Sequence, residues 1–310
     1  MKMCDILSSY NVSLESIGVN VSLAAAGPFT ALHLYTNTQA QPLSLQFDFA
    51  HAASARIPVF TRFYYNPFSV LKNPPQVARA SFRIDSDGSV VVSGVSRSAG
   101  SLSRRSPRGG VDVYFAAKVA VLGMREEQQQ PSGNVWCNGT LNSSSAAYAS
   151  CTTASSSCGI WLQFPSCATT DCSLLLSASI SFVSIEQAWI NMASELPVAL
   201  RPDLLFPMVV HRTQQIWRES LSRVSVDAAT SLDAAVKLYT AVYHTLMAPS
   251  IFSEGQPYPP SASFPPSASF PSPVYLSFDG LPHPWPNPQP YLTDMSMYCV
   301  CCPPPRQSQL

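Results

Sequence analysis

Charge is scarce in this sequence. Asp, Glu, Lys and Arg make up 12% of its 310 residues, and the 18 basic side chains balance the 18 acidic ones. A chain with no basic excess has no electrostatic footprint for nucleic acid. Nor does it carry a polybasic stretch for an anionic membrane surface. No run reaches the roughly 18 uninterrupted apolar residues that a membrane-spanning helix needs. The N-terminal MKMCDILSS has one Lys and no apolar core of useful length, so it does not read as a signal peptide. No G-x-S-x-G nucleophile elbow is present, which leaves a serine-hydrolase reading without a basis.

Proline, serine and cysteine are plentiful instead. Pro reaches 28, and with abundant Ser it favours turns, loops and strands over long helices. Hydrophobic residues at 46% allow a sizeable core. Of nine cysteines, Cys137, Cys151, Cys158, Cys167 and Cys172 sit in one Ser/Thr-rich stretch. That stretch has no C-x-x-C pair and no His, so disulfides or free thiols are favoured over a metal site. Cys299, Cys301 and Cys302 precede three prolines in a tail that looks unrelated to the rest. Four N-x-S/T sequons begin at Asn11, Asn20, Asn138 and Asn142. They make these residues candidate glycosylation positions and favour a secreted or endomembrane-lumen location, with the cytosol as the alternative.

Residues 1–183 read as β-structure. Leu176, Ala178, Ile180 and Phe182 alternate with Ser177, Ser179 and Ser181, which predicts a strand with one buried and one wet face. Val111 to Val121 predicts a second strand, and Val90 to Val92 a third after the DSDG turn at 85–88. Short strands separated by turn signals predict an antiparallel β-sandwich. The pattern changes at Ser184, where SIEQ forms a capping box for a helix reaching Glu195 and stopped by Pro197. A second helix is predicted after Pro202, with Leu205, Met208, Val209, Ile216 and Leu221 near helical spacing. A third spans 232–247 with Leu232, Val236, Tyr239, Tyr243 and Leu246 on one stripe. All three stripes read as core packing rather than as ligand sites. Residues 256–273 hold a tandem PSASFP duplication, a Pro-rich, uncharged loop insertion.

Several segments in order carry a resemblance. SFVSIEQAWINM at 181–192, with Asn191 and Glu195 on the helix that follows, resembles a signature of glycoside hydrolase family 92. IWRESLSRVSV at 216–226 and LYTAVYHTLMAP at 238–249 resemble that family's linker helix and the first helix of its catalytic barrel. FDG at 278–280 and YLTDMSMY at 291–298 resemble the loops that come next. TALHLYT at 30–36 and VDVYF at 111–115 fit its sandwich domain more loosely. The likeness covers nearly the whole chain up to Tyr298, and from Cys299 to Leu310 nothing matches.

The resemblance implies a mixed fold: an antiparallel β-sandwich over 1–183, a helical linker over 184–226, and the start of an (α/α)6 barrel over 227–310. The insertion 256–273 and the tail 299–310 fall in that last part. It also implies that the sandwich's first strands are missing and that the barrel is incomplete. The family's members are inverting, calcium-dependent exo-α-mannosidases that trim mannose from glycans, including the N-glycans of glycoproteins. Inversion needs an acid and a base about 6.5–9.5 Å apart, with water between. In the family these groups and the calcium ligands lie in the barrel beyond the position of residue 298. The resemblance therefore assigns no catalytic residue, metal ligand or cofactor here and implies an inactive chain. Asp279 and Asp294 fall on loops that face the barrel mouth and are the candidate sugar-contacting residues. Glu186, Glu195, Glu219, His211 and His244 read as structural. The alternative is a non-catalytic carbohydrate-binding sandwich, for which Phe63, Tyr64 and Tyr65 are an aromatic cluster on which a sugar could stack. Mannose-containing glycans or glycoproteins are the implied partners; nucleic acid and membrane are not.

Overall fold

The computed structural model describes residues 8–49, 77–98, 111–123, 130–137, 139–142, 148–155, 158–170, 172–197, 200–227 and 230–247. They divide into two compact units, residues 1–214 and 215–310.

The first unit is a sandwich of unequal antiparallel sheets. Its strands are β1 (Tyr10–Leu14), β2 (Val19–Ala25), β3 (Thr30–Asn37), β4 (Leu43–Asp48), β5 (Val77–Ile84) and β6 (Val90–Ser98). They continue with β7 (Val111–Leu122), β8 (Ser132–Cys137), β9 (Thr140–Asn142), β10 (Tyr148–Ser155), β11 (Cys158–Phe164) and β12 (Ser173–Ser181). The larger sheet has the order β1-β2-β3-β12-β7-β6-β5-β10, and the smaller has β4-β11-β8-β9. Phe82, Val90, Val119, Ile160, Leu162 and Leu174 meet in the core between them. The predicted strands at 90–92 and 111–121 are β6 and β7. The turn before β6 closes on Gly88, whose φ of 75° suits a residue with no Cβ.

β12 is the central strand, pairing with β3 on one side and β7 on the other. Its period of two is as predicted, but its serine face is not wet. Ser177, Ser179 and Ser181 are buried, while Ala178 and Ile180 are only half-buried. The cause is α1 (Ile185–Glu195), which follows at once and folds back over that face. On that face Leu175, between Leu174 and Leu176 on the opposite one, packs with Met192 and Leu196 of α1 and with Leu205, Phe206 and Val209 of α2 (Pro202–Leu221). The hydroxyls of Ser179 and Ser181 are bonded. Thr30 donates to Ser179 at 3.1 Å, and Ser181 Oγ accepts the Val183 N–H at 2.9 Å.

In the second unit the last turns of α2 meet α3 (Leu232–Met247). The Tyr239 hydroxyl donates to the Val224 carbonyl at 2.9 Å, and the Trp217 and Tyr243 rings lie 5.0 Å apart. The stripe predicted as core is thus engaged on one side only. Tyr239 and Tyr243 are half-buried, whereas Leu232 is 80% exposed and Val236 and Leu246 are also exposed. Ile216 of α2 is exposed too, while Leu221 is buried. No helix among the described residues is long and apolar enough to cross a membrane.

Candidate functional site

The segment 181–192, which resembles the family 92 signature, is the junction of β12 and α1. Ser184 is the N-cap of α1, and its hydroxyl accepts the Gln187 N–H at 3.0 Å. The reciprocal half of the predicted capping box does not form. The Ser184 N–H turns to Ser181 Oγ, which frees the Gln187 side chain. That side chain is buried and donates to Asn191 Oδ1 at 2.8 Å. Asn191 in turn donates to the Ile180 carbonyl at 3.0 Å. One turn of helix is thereby tied to the strand it leaves.

Glu195 closes the other end of α1. Both of its carboxylate oxygens face the Phe29 N–H, at 3.2 and 3.4 Å, in the β2–β3 connection. The approach is close enough that a Cβ on Gly27 would overlap the carboxylate. Arg212 reaches the Glu195 carbonyl at 3.3 Å, and Thr213 donates to the Ala25 carbonyl at 2.9 Å. Glu195 is a positioning group in this arrangement.

Several other ionic groups are similarly occupied. Arg97 and Asp112 face each other across β6 and β7 in a two-pronged pair at 2.6 and 2.8 Å. Arg83 pairs with Asp85, Arg201 with Asp203 and Lys237 with Asp233. The Ser89 hydroxyl and N–H beside Asp87 hold its carboxyl below the usual range, with Lys118 adding to the effect. Glu186, Glu219, His211 and His244 are exposed. His33 lies on β3 between Leu23 and Leu176, with its Nδ1 3.1 Å from the Tyr35 hydroxyl. Burial lowers the pKa of His33 and raises that of Tyr35.

A calcium centre takes six to eight oxygen ligands. Among the described residues no group of three or more His, Cys, Asp or Glu could hold a metal ion.

Asp279 and Asp294 lie outside the described residues, as do Asn138, the insertion at 256–273, the Phe63–Tyr65 cluster and the tail from Cys299. Asn142 ends β9. Asn11 and Asn20 are exposed on adjacent strands. Their sequons run antiparallel, so that Asn11 stands opposite Ser22 and Ser13 opposite Asn20. This juxtaposition is invisible in the sequence. Within the cysteine stretch Cys137, Cys151 and Cys158 lie on β8, β10 and β11, and Cys137 and Cys158 stand opposite one another. Cys167 and Cys172 form a disulfide, Cys137 is disulfide-bonded, and Cys158 is a buried free thiol.

Residues 187–297 match the glycosyl hydrolase family 92 catalytic domain. Of that span, residues 187–197, 200–227 and 230–247 are described. Three solved structures share the fold. One, a family 92 glycosyl hydrolase, aligns with a TM-score of 0.56 at 20% identity, over 90% of this chain and 29% of its own. A family 92 α-mannosidase from Bacteroides thetaiotaomicron, also solved with mannoimidazole, aligns at 0.55 and 17%, over 80% of this chain and 28% of its own. An inverting mannosidase of the same family and organism aligns at 0.57 and 18%, over 89% and 29%. The chain spans less than a third of the length of each. No curated protein matches it.

Proposed function

We propose that this chain, a member of glycoside hydrolase family 92, carries the sandwich and the opening part of the catalytic domain of an α-mannosidase that trims mannose from the N-glycans of glycoproteins. The observation that carries the reading is continuity. A family 92 catalytic-domain match begins at Gln187, on the helix that the Asn191 amide ties to the sandwich strand at the Ile180 carbonyl. The sandwich itself has the fold of solved family 92 structures, one of them bound to mannoimidazole.

On this reading the chain alone does not hydrolyse mannosides. Asp85, Asp87, Asp112, Asp203 and Asp233 sit in ion pairs and Glu195 holds the Phe29 N–H, whereas inversion needs two carboxyl groups that face one another across a water. Asp279 and Asp294 are the sugar-contacting positions of the intact catalytic domain, and calcium is the ion of intact relatives. The compartment is secreted or endomembrane. The disulfide-bonded cysteines support this, because such bonds persist where conditions are oxidising. Glycans at Asn11, Asn20, Asn138 and Asn142 follow, the first two on exposed positions.

The test has two parts. Long-read sequencing of the transcript across the codons for Asp294 to Cys302 establishes the reading frame. If the frame runs on into barrel sequence, the longer product should release mannose from an α-mannoside and lose that activity with a calcium chelator. Failure of the longer product to cleave any α-mannoside would end the mannosidase reading. The chain of 310 residues should release none, and its melting temperature should not move with mannose, with or without calcium. A mannose-dependent shift without hydrolysis would favour the non-catalytic sugar-binding sandwich.

A further inference from the structure

Cys137 ends β8 and Cys158 begins β11, and the two residues stand directly opposite in the register of the smaller sheet. Both side chains belong to the core between the sheets, at 5% and 0% exposure. Cys137 is held in a disulfide, whereas Cys158 carries a free thiol. A nucleophile in waiting therefore lies one strand spacing from a disulfide sulfur, on the same face of the sheet.

The spacing fits a bond. Directly opposed residues of an antiparallel pair have Cα atoms about 4.5 or 5.5 Å apart, according to their place in the ladder. Disulfides span about 4.4–6.8 Å between Cα atoms. Either ladder position admits a cross-strand bridge without a backbone shift. The backbone at Cys158 is also anchored, since its carbonyl accepts the Phe49 N–H at 3.0 Å. The nearby Cys167–Cys172 bond is closed within its own turn and leaves this pair alone.

We propose that Cys137 has two alternative disulfide partners and that Cys158 is the second, reached by thiol–disulfide exchange. Cys158 gives up its proton to solvent and its thiolate attacks Cys137 Sγ. The cross-strand Cys137–Cys158 bond forms as the existing bond breaks. The displaced sulfur leaves as a thiolate and takes up a proton. One S–S bond is made and one is lost, so no oxidant or reductant is consumed. The two bonds exclude one another, because Cys137 has a single sulfur. In the exchanged state β8 is stapled to β11 at the end of a ladder that runs from Ser132–Gln163 to Cys137–Cys158. The former partner is then the free thiol. The exchange is held slow at neutral pH: burial, with the Asp48 carboxylate adding to it, pushes the Cys158 thiol up to about 11. Only the thiolate attacks, so the rate should climb about tenfold per pH unit below that value.

Disulfide mapping on the full chain tests it. The protein, purified without reductant, is held at pH 7, 8 and 9, quenched in acid, alkylated in denaturant, digested and read by mass spectrometry. At the start the label should sit on the Cys158 peptide. With time that label should be lost and a linked Cys137–Cys158 peptide should appear, faster at each higher pH. The Cys158→Ala variant, which removes the thiol without burying a hydroxyl, should keep the original Cys137 bond and show no linked peptide. Its circular dichroism establishes that it folds. Three results would each overturn the proposal: Cys137 found as a free thiol at the start, a Cys158 label that persists at pH 9, or the same redistribution of label in Cys158→Ala.

Discussion

Asn191→Ala should destabilise the sandwich unit by about 2–4 kcal/mol, far more than the loss of one exposed amide. The side chain is 5% exposed and makes two bonds at once, accepting from Gln187 Nε2 at 2.8 Å and donating to the Ile180 carbonyl at 3.0 Å. A buried hydrogen bond contributes about 1 kcal/mol net, and a buried group left without its partner costs about 1–3 kcal/mol more. Truncation removes both bonds. It strands the amide of Gln187, itself 3% exposed, and a carbonyl of the central strand. Gln187→Ala removes one of the two bonds and keeps the Ser184 cap, which is to its backbone, so about 1–2 kcal/mol is expected. The double variant should cost less than the sum by about 1 kcal/mol, the coupling of two residues in one network. Urea unfolding, read by tryptophan fluorescence and by circular dichroism, supplies the three values. A cost below about 1 kcal/mol for Asn191→Ala, or a coupling near zero, would show that apolar packing alone seats α1 and that the argument is wrong.

Three further outcomes follow from single sites. Gly159→Ala should cost about 1–3 kcal/mol in a thermal melt, because its new methyl would overlap the Trp136 ring directly opposite and the Phe47 carbonyl; an unchanged melting temperature would mean the ring does not lie over the glycine. Asp112→Asn should cost about 1–3 kcal/mol in urea, since it leaves Arg97 short of a charged partner at a site only 28% and 11% exposed; a loss no greater than at the exposed Lys237–Asp233 pair would refute the distinction. The third outcome is a pH dependence. Burial lowers His33 from its ordinary 6.5, so below that pH the unfolded chain takes up a proton that the folded ring resists. The stability is present above about pH 6.5 and is lost as the pH falls through the lowered value. His33→Gln should flatten the difference between pH 7 and pH 5 melts, and a slope equal to that of the parent chain would count against the buried ring.

The strands were legible where the chain alternates and the turns carry their own chemistry. Val90–Val92 follows a turn whose Gly88 takes positive φ, and Val111–Val121 pairs along its length with β6 and β12. Pro197 and Ser184 bounded α1 to the residue. The failures have a common form, in that local sequence does not say what covers a face. The stripe Leu232, Val236 and Leu246 has the period of a core helix, yet those side chains are exposed, since only the Tyr239–Tyr243 side is met by the end of α2. The functional reading came from ordered segments such as 181–192 and 238–249. Composition contributed only exclusions, and the residues singled out for sugar contact, Asp279 and Asp294, lie outside the described part.

The serine face of β12 shows why the junction itself could not be read from hydrophobic periodicity. A wet strand face and a face that receives a polar helix seam have the same sequence, Ser at every second position. Serine is small, so a helix backbone can lie close against it, and each hydroxyl can bond to a neighbour once water is excluded. At Ser181 that neighbour is the chain's own turn into α1, and at Ser179 it is Thr30 of β3. Apolar contact seats α1 further along, through Met192, Leu196 and Leu175. The Gln187–Asn191–Ile180 chain of bonds adds direction, since a helix displaced along the strand would keep much of the apolar contact, and the Gln187–Asn191 bond within it, but lose the bond to Ile180. A seat specified in this way is costly to misplace, because each broken bond leaves a buried polar group unpaired. The catalytic-domain match thus begins on the helix that the bond from Asn191 to Ile180 fixes on the sandwich.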